Sequence, residues 1–146
     1  RQLPTARDDD PNADQFWQWA AFDRSGRLAV SYYDRAYGSD ELTGFSDVSL
    51  SGSRNARDFA TVRVTTGSMP PPTEFAGAFF GDYSALTADD VAHPMWMDTR
   101  DVELFACRDS AGNVTLPPAV CTAAATNAAV ANDQNVYTRS LAVPLP

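Results

Sequence analysis

Residues 16–35, FWQWAAFDRSGRLAVSYYDR, and residues 80–99, FGDYSALTADDVAHPMWMDT, can be written one above the other without a gap, at an offset of 64. Phe16 meets Phe80, Trp19 meets Tyr83, Ala21 meets Ala85, Phe22 meets Leu86, Tyr32 meets Trp96 and Asp34 meets Asp98. Each copy is an apolar run, a polar turn, and a second apolar run that ends on aspartate and arginine, which is a β-hairpin occurring twice. The first turn is Asp23-Arg24-Ser25-Gly26, with its glycine placed late, where a positive φ is tolerated. The second is Thr87-Ala88-Asp89-Asp90. The run Leu28 to Tyr33 is rich in β-branched and aromatic residues, as a strand requires, and no helical periodicity runs through it.

Working outward, a third strand is predicted after each hairpin, over Leu42–Phe45 in the first module and Glu103–Cys107 in the second. Ala60 to Thr65 alternates as an outer strand with one wet face, and Asn135 to Val143 reads as a final strand. The alanine-rich run Thr122–Ala131 lacks an apolar stripe and reads as a loop or one short turn. Residues 1–15 form an extended lead-in, in which Asp8, Asp9 and Asp10 either ligate a structural calcium ion or sit on a solvated loop. Otherwise no cofactor is expected.

The fold class is all-β, and sheet units repeating at this spacing point to a propeller or a solenoid. About two blades over 16–146, with a closing strand, make an incomplete ring. Its open edges call for cover from further blades on a precursor or from a second chain.

Composition narrows the partners. The 146 residues carry 19 acidic and 11 basic side chains, a net charge of -8, and every basic residue is arginine. An acidic surface with scattered arginines argues against nucleic acid, whereas the planar arginine fork suits carboxylates. No apolar stretch approaches the roughly 20 residues of a membrane-spanning helix. Arg1 is not an initiator, so a processed or longer precursor is expected. Cys107 and Cys121 enclose a loop that a disulfide would stabilise by roughly 3 kcal/mol, which suits an oxidising, secreted setting. Two free thiols or a metal pair are the alternatives, the metal hampered by the lack of a second histidine beside His93.

Three stretches carry a family resemblance: FDRSGRLAVSYYDR at 22–35, FFGDYSALTADDVAHPMWMDTR at 79–100 and DQNVYTRSLAVP at 133–144. They resemble the C-terminal part of secreted bacterial sialidase-like (BNR-repeat) six-bladed propellers. The Asp-box pattern of that superfamily, Ser-x-Asp-x-Gly-x-x-Trp, is not intact here. Its nearest counterpart is GSRNARDF, Gly52 to Phe59.

The resemblance implies a carbohydrate ligand and an exo-glycosidase acting on sialic acid or a related sugar. Such enzymes use a tyrosine nucleophile with a glutamate partner, an aspartate acid and arginines that hold the substrate carboxylate. Carried onto this chain, Tyr83 is the nucleophile with Glu74 or Glu103 beside it, and Asp82 is the acid. Arg35, Arg100, Asp34, Asp98 and Trp96 would contact substrate. The same residues have a structural alternative, in which Asp-Arg pairs brace neighbouring blades, Asp82 caps a turn and Tyr83 bonds across blades. Trp17, Trp19, Trp96, Tyr32 and Tyr33 are either core or sugar-stacking residues. Serine or cysteine nucleophilic catalysis lacks its GxSxG elbow and a second histidine. A non-catalytic glycan-binding or structural propeller is therefore the competing reading.

Overall fold

A computed structural model describes residues 13–37, 44–71, 84–107, 109–113 and 128–146, the side chains of 102–107 and 128–133 excepted. Among the described residues the chain is all-β, with two antiparallel sheets and no helix. The first sheet is a meander of four strands in chain order: β1 (Gln15–Phe22), β2 (Leu28–Asp34), β3 (Asp47–Ser53) and β4 (Ala60–Arg63). The second has β5 (Ala85–Ala88), β6 (Ala92–Cys107) and β7 (Ala128–Thr138).

The repeat is real but its two halves differ in register. Asp34 accepts the backbone N–H of Ala36 at 3.0 Å, and Asp98 accepts that of Arg100 at the same 3.0 Å, so β2 and β6 superpose at the offset of 64. The partner strands do not. Trp19 faces Ser31 and Ala85 faces Met95, which makes Ala85, not Tyr83, the counterpart of Trp19. The cause is the turn. Five residues, Asp23 to Arg27, join β1 to β2, and only three, Asp89 to Val91, join β5 to β6. Thr87 and Ala88 accordingly belong to β5. In the longer turn the Asp23 carboxylate accepts the N–H groups of Ser25 and Arg27, while Gly26 adopts φ 76. The turn Asp109–Asn113 repeats this construction with Gly112 at φ 85. This second copy went unseen in the sequence because it does not lie at the offset of 64 that relates the two hairpins.

Three further strand expectations are corrected. The third strand of the first module is Asp47–Ser53, whose serines and glycine resemble a loop; Gly44 and Phe45 are not in a strand, and 42–43 lie outside the described residues. Glu103–Cys107 continues β6 through two register shifts near Asp101. The last strand starts at Ala128, inside the alanine-rich run, and ends at Thr138.

Alternation on β3 creates two unlike faces. Val48 and Leu50 pack with Ala29, Tyr33, Val64 and Met69 against Leu86, Ala92 and Trp96 of the second sheet, forming one core. Asp47, Ser49, Ser51 and Ser53 point the other way and are fully buried. Their hydroxyls are bonded, Ser49 to Asp34 at 2.7 Å and Ser51 to Tyr32 at 3.0 Å and to Thr61 at 2.6 Å, as buried polar atoms must be. Tyr33 links the sheets. Its hydroxyl donates to the Met97 carbonyl at 3.0 Å and accepts the Met97 N–H at 2.9 Å. Burial pushes its phenol up to about 12, the Met97 contact opposing that rise and the Asp98 charge adding to it. Tyr33→Phe orphans both Met97 groups and is expected to cost about 1–3 kcal/mol. Chemical denaturation measures that loss, and the absorbance step near pH 12 should vanish with the mutation.

The C-terminal segment crosses from one sheet to the other. Leu141 bridges Ala92 through two backbone hydrogen bonds of 2.8 and 2.9 Å, and Arg139 donates to the Val64 carbonyl at 2.8 Å. Val143 then enters the core, and Pro144 lies directly over Gly52.

Candidate functional site

The strand ends near Asp34, Asp47 and Asp98 gather three of the six ion pairs among the described residues. Arg100 lays its guanidinium on Asp98 through Nε at 2.9 Å and Nη2 at 2.6 Å. The Trp96 indole N–H donates to the same carboxylate at 3.0 Å. Burial pushes the Asp98 carboxyl up, but the bonds from Arg100 and Trp96 outweigh it and hold the group below its ordinary value. Arg100 in turn is raised, chiefly by its hydrogen bond to Asp98. Its Nη1 donates to Thr66 at 2.9 Å, which carries the pair across to the first sheet.

A second pair mirrors this one. Arg63 closes on Asp47 at 2.9 and 2.7 Å and reaches Ser68 at 3.2 Å, and Thr65 and Ser68 donate to the same carboxylate. The turn Thr66-Gly67-Ser68 is thereby held from both sheets, with Thr99 donating to the Pro70 carbonyl just beyond it. Arg35 pairs with Asp14 at 3.1 Å and lies over the Phe16 ring at 5.4 Å, and Phe16 stacks on Tyr33 at 5.3 Å.

No family model, curated protein or solved structure matches this chain.

Of the substrate-binding candidates, Asp34, Arg35, Asp98, Arg100 and Trp96 all lie in the described residues; Trp96 and Arg100 meet on the Asp98 carboxylate, whereas Asp34 and Arg35 bond elsewhere, to Ser49 and Asp14. Asp34 bonds Ser49, not Arg35. Arg35 and Arg100 are not equivalent positions either, because the offset of 64 places Thr99 opposite Arg35 and Ala36 opposite Arg100. Trp96 is 4% exposed and spends its N–H on Asp98, so its ring is core. Asp82, Tyr83, Glu74, Asp8, Asp9, Asp10 and Cys121 lie outside the described residues, as do the side chains of Glu103 and Cys107. Asp47 and Arg63 were missed in the sequence. The period-two pattern Asp47-x-Ser49-x-Ser51-x-Ser53 was the signal that could have found them. Among the described residues no three His, Cys, Asp or Glu side chains converge as metal ligands, and no helix is long and apolar enough to cross a membrane.

Aromatic surface is concentrated on edge strand β1. Trp17 and Trp19 are 39% and 48% exposed, and Phe22 is more open still. Trp17 sits at φ 54, an uncommon conformation for a bulky residue, where the register between β1 and β2 shifts. Its ring meets Tyr33 edge-on at 6.3 Å, and its carbonyl accepts the Ser84 hydroxyl. His93 is bonded to Ser140 at 3.0 Å and lies 3.8 Å from Asp89, as a structural histidine would be.

Proposed function

We propose that the chain is part of a secreted sialidase-like propeller whose role is glycan binding rather than hydrolysis. The observation that carries the binding reading is the pair of exposed tryptophans, Trp17 and Trp19, on an edge strand. Flat indole faces stack on the C–H face of sugar rings, and backbone bulging holds one of them outward. Against hydrolysis stands the state of Arg100, whose Nε and Nη2 close on the buried Asp98 and whose Nη1 donates to Thr66, so that it has no fork left for a substrate carboxylate.

Three features support the propeller part of the reading. The first is a four-stranded meander in chain order, and the second a recurring inner hairpin. The third is packing of unlike faces: the Tyr33 side of the first sheet meets the Trp96 side of the second, leaving the opposite side of the second sheet, with Met95 and Val136, open. Head-to-tail packing of this kind accepts further units. The Ser53-x-Asn55 turn adds to it, since Asn55 accepts the N–H groups of Arg57 and Asp58 at 2.9 and 3.0 Å as the aspartate of a Ser-x-Asp turn would.

The test is a glycan array read beside a fluorogenic sialoside assay. Binding that falls at least about fivefold in Trp19→Ala, with no turnover, is the expected result. Turnover that is lost in Tyr83→Phe would establish the exo-glycosidase instead. Arg35→Ala should leave stability within about 1 kcal/mol of the parent by thermal denaturation, because its partner Asp14 is exposed.

A further inference from the structure

Strand β1, QFWQWAAF, carries the exposed Trp17 and Trp19 and has no charged residue from Gln15 to Phe22. Its register puts two residues where one belongs: Phe16 faces Tyr33 and Trp19 faces Ser31, so Trp17 and Gln18 together stand opposite Tyr32. Gln18 lies between the tryptophans in the chain and is exposed. Its amide offers both a donor and an acceptor without a charge, which matches a sugar hydroxyl, itself donor and acceptor.

Among the described residues, charge stands only at the two ends of this strand, and its balance is negative. At the start, Arg35 pairs with Asp14 at 3.1 Å and lies over the Phe16 ring, while the fully buried Asp34 faces Gln15. At the far end the two hairpin turns meet, the Arg24 N–H donating to the Asp89 carbonyl at 3.2 Å. There Arg27 is closed on Asp23, and Arg24 lies 3.6 Å from Asp90. The N–H groups of Val91 and Asp90 hold the Asp89 carboxyl below its ordinary value, so it stays ionised. Three arginines therefore stand against five aspartates around β1, and each of the three already has an aspartate beside it. A protonated His93, 3.8 Å from Asp89, would still leave the balance negative.

We propose that the β1 surface selects neutral sugars over anionic ones, with Trp17 and Trp19 stacking on the rings, Gln18 bonding hydroxyls, and the surrounding field excluding sialic and uronic acids. This rests on the glycan reading and narrows its ligand class. A carboxylated sugar at β1 would meet surplus negative charge on a chain of net charge -8 and no open guanidinium, so nothing there offsets the dehydration of its carboxylate. A neutral sugar is indifferent to that field, because stacking and hydroxyl hydrogen bonds involve no net charge. Selectivity of this kind comes from repelling the wrong ligand as much as from holding the right one. An arginine-only set of cations suggests carboxylate ligands, but the arginines around β1 are engaged within the fold.

Matched pairs test the proposal: lactose with sialyllactose, and N-acetyllactosamine with its sialylated form. Each is titrated into the intact chain and followed by tryptophan fluorescence at low and high salt. The neutral member should bind at least about twofold tighter at low salt, and the difference should shrink as salt screens the repulsion. The fluorescence change should be lost in Trp19→Ala; its persistence would place the sugar elsewhere and overturn the proposal. Gln18→Arg, which sets an open guanidinium between the tryptophans, should bring the sialylated member to parity or better, with an unchanged thermal midpoint as proof of folding. Equal or tighter binding of the sialylated members by the parent chain would overturn the neutral preference while leaving the glycan reading in place. So would a Gln18→Arg variant that binds sugar with the parent's preference. Binding of no sugar in either pair would overturn the glycan reading and this inference with it.

Discussion

Gly52→Val is expected to detach the C-terminal segment from the first sheet and to destabilise the chain by about 3 kcal/mol or more. A Cβ at this position would stand 2.1 Å from the Pro144 carbonyl oxygen and 2.6 Å from a Val143 methyl. Neither neighbour is the loose end of a long side chain. One is backbone, and the other belongs to the same buried core as Leu50 and Trp96. The strand cannot retreat either, since β3 is hydrogen-bonded on both sides, by β2 and β4. The segment must therefore leave, taking its bridge to Ala92 with it. Urea denaturation should show the loss, and hydrogen exchange should show the Leu141 and Ala92 amides unprotected while the β2–β3 amides stay slow. A variant of unchanged stability, with both amides still protected, would contradict the packing described for Gly52.

Asp98→Ala is expected to cost about 3 kcal/mol, a large share of the stability of a domain this size. Removing the carboxylate leaves the Trp96 N–H buried without an acceptor and the Arg100 guanidinium without its counter-charge. The Arg100 side chain is 28% exposed, so water relieves part of that penalty and the cost falls at the low end for a broken buried pair. The sign of the pH dependence follows from the same contacts. The folded Asp98 carboxyl lies below its ordinary 3.8, so its contribution is fully present above that value and is lost as pH falls through the folded value. Asp98→Asn, which cannot ionise, should be weaker at neutral pH and should lack that component of acid sensitivity. Paired denaturation curves at pH 7 and pH 3 measure it: the gap between parent and Asp98→Asn should narrow in acid. A gap that stays constant would mean the pair contributes no charge-dependent stability.

Much of the strand order was legible before any coordinates. Leu28–Tyr33 was recognisable from β-branched and aromatic residues, and Ala60–Thr65 from strict alternation, although that strand ends at Arg63. Asp47–Ser53 was not, because a strand whose outward face is serine and aspartate has the composition of a loop. It is a strand because both neighbours bond its backbone and because its polar side chains find partners in Asp34, Tyr32, Thr61 and Arg63. The turn after β5 was misplaced by two residues for a related reason: an ungapped alignment cannot register a shorter loop. In the candidate site, the types were legible and the pairings were not. Arginine and aspartate recurring at strand ends could serve substrate or brace sheets, and the sequence holds no distances.

Sequence alone therefore determined that this chain is a repeated antiparallel β-hairpin on an acidic, lysine-free background, because side-chain alternation and turn chemistry are local properties. Only tertiary structure decided which charges neutralise one another. Arg100 meets Thr66 across 34 positions, Tyr33 meets Met97 across 64, and Arg139 meets Val64 across 75. Contacts at such separations depend on how two sheet faces come together, and that is set by burial of a shared core rather than by any neighbouring residue. The same collapse closes Arg35, Arg63 and Arg100 onto aspartates.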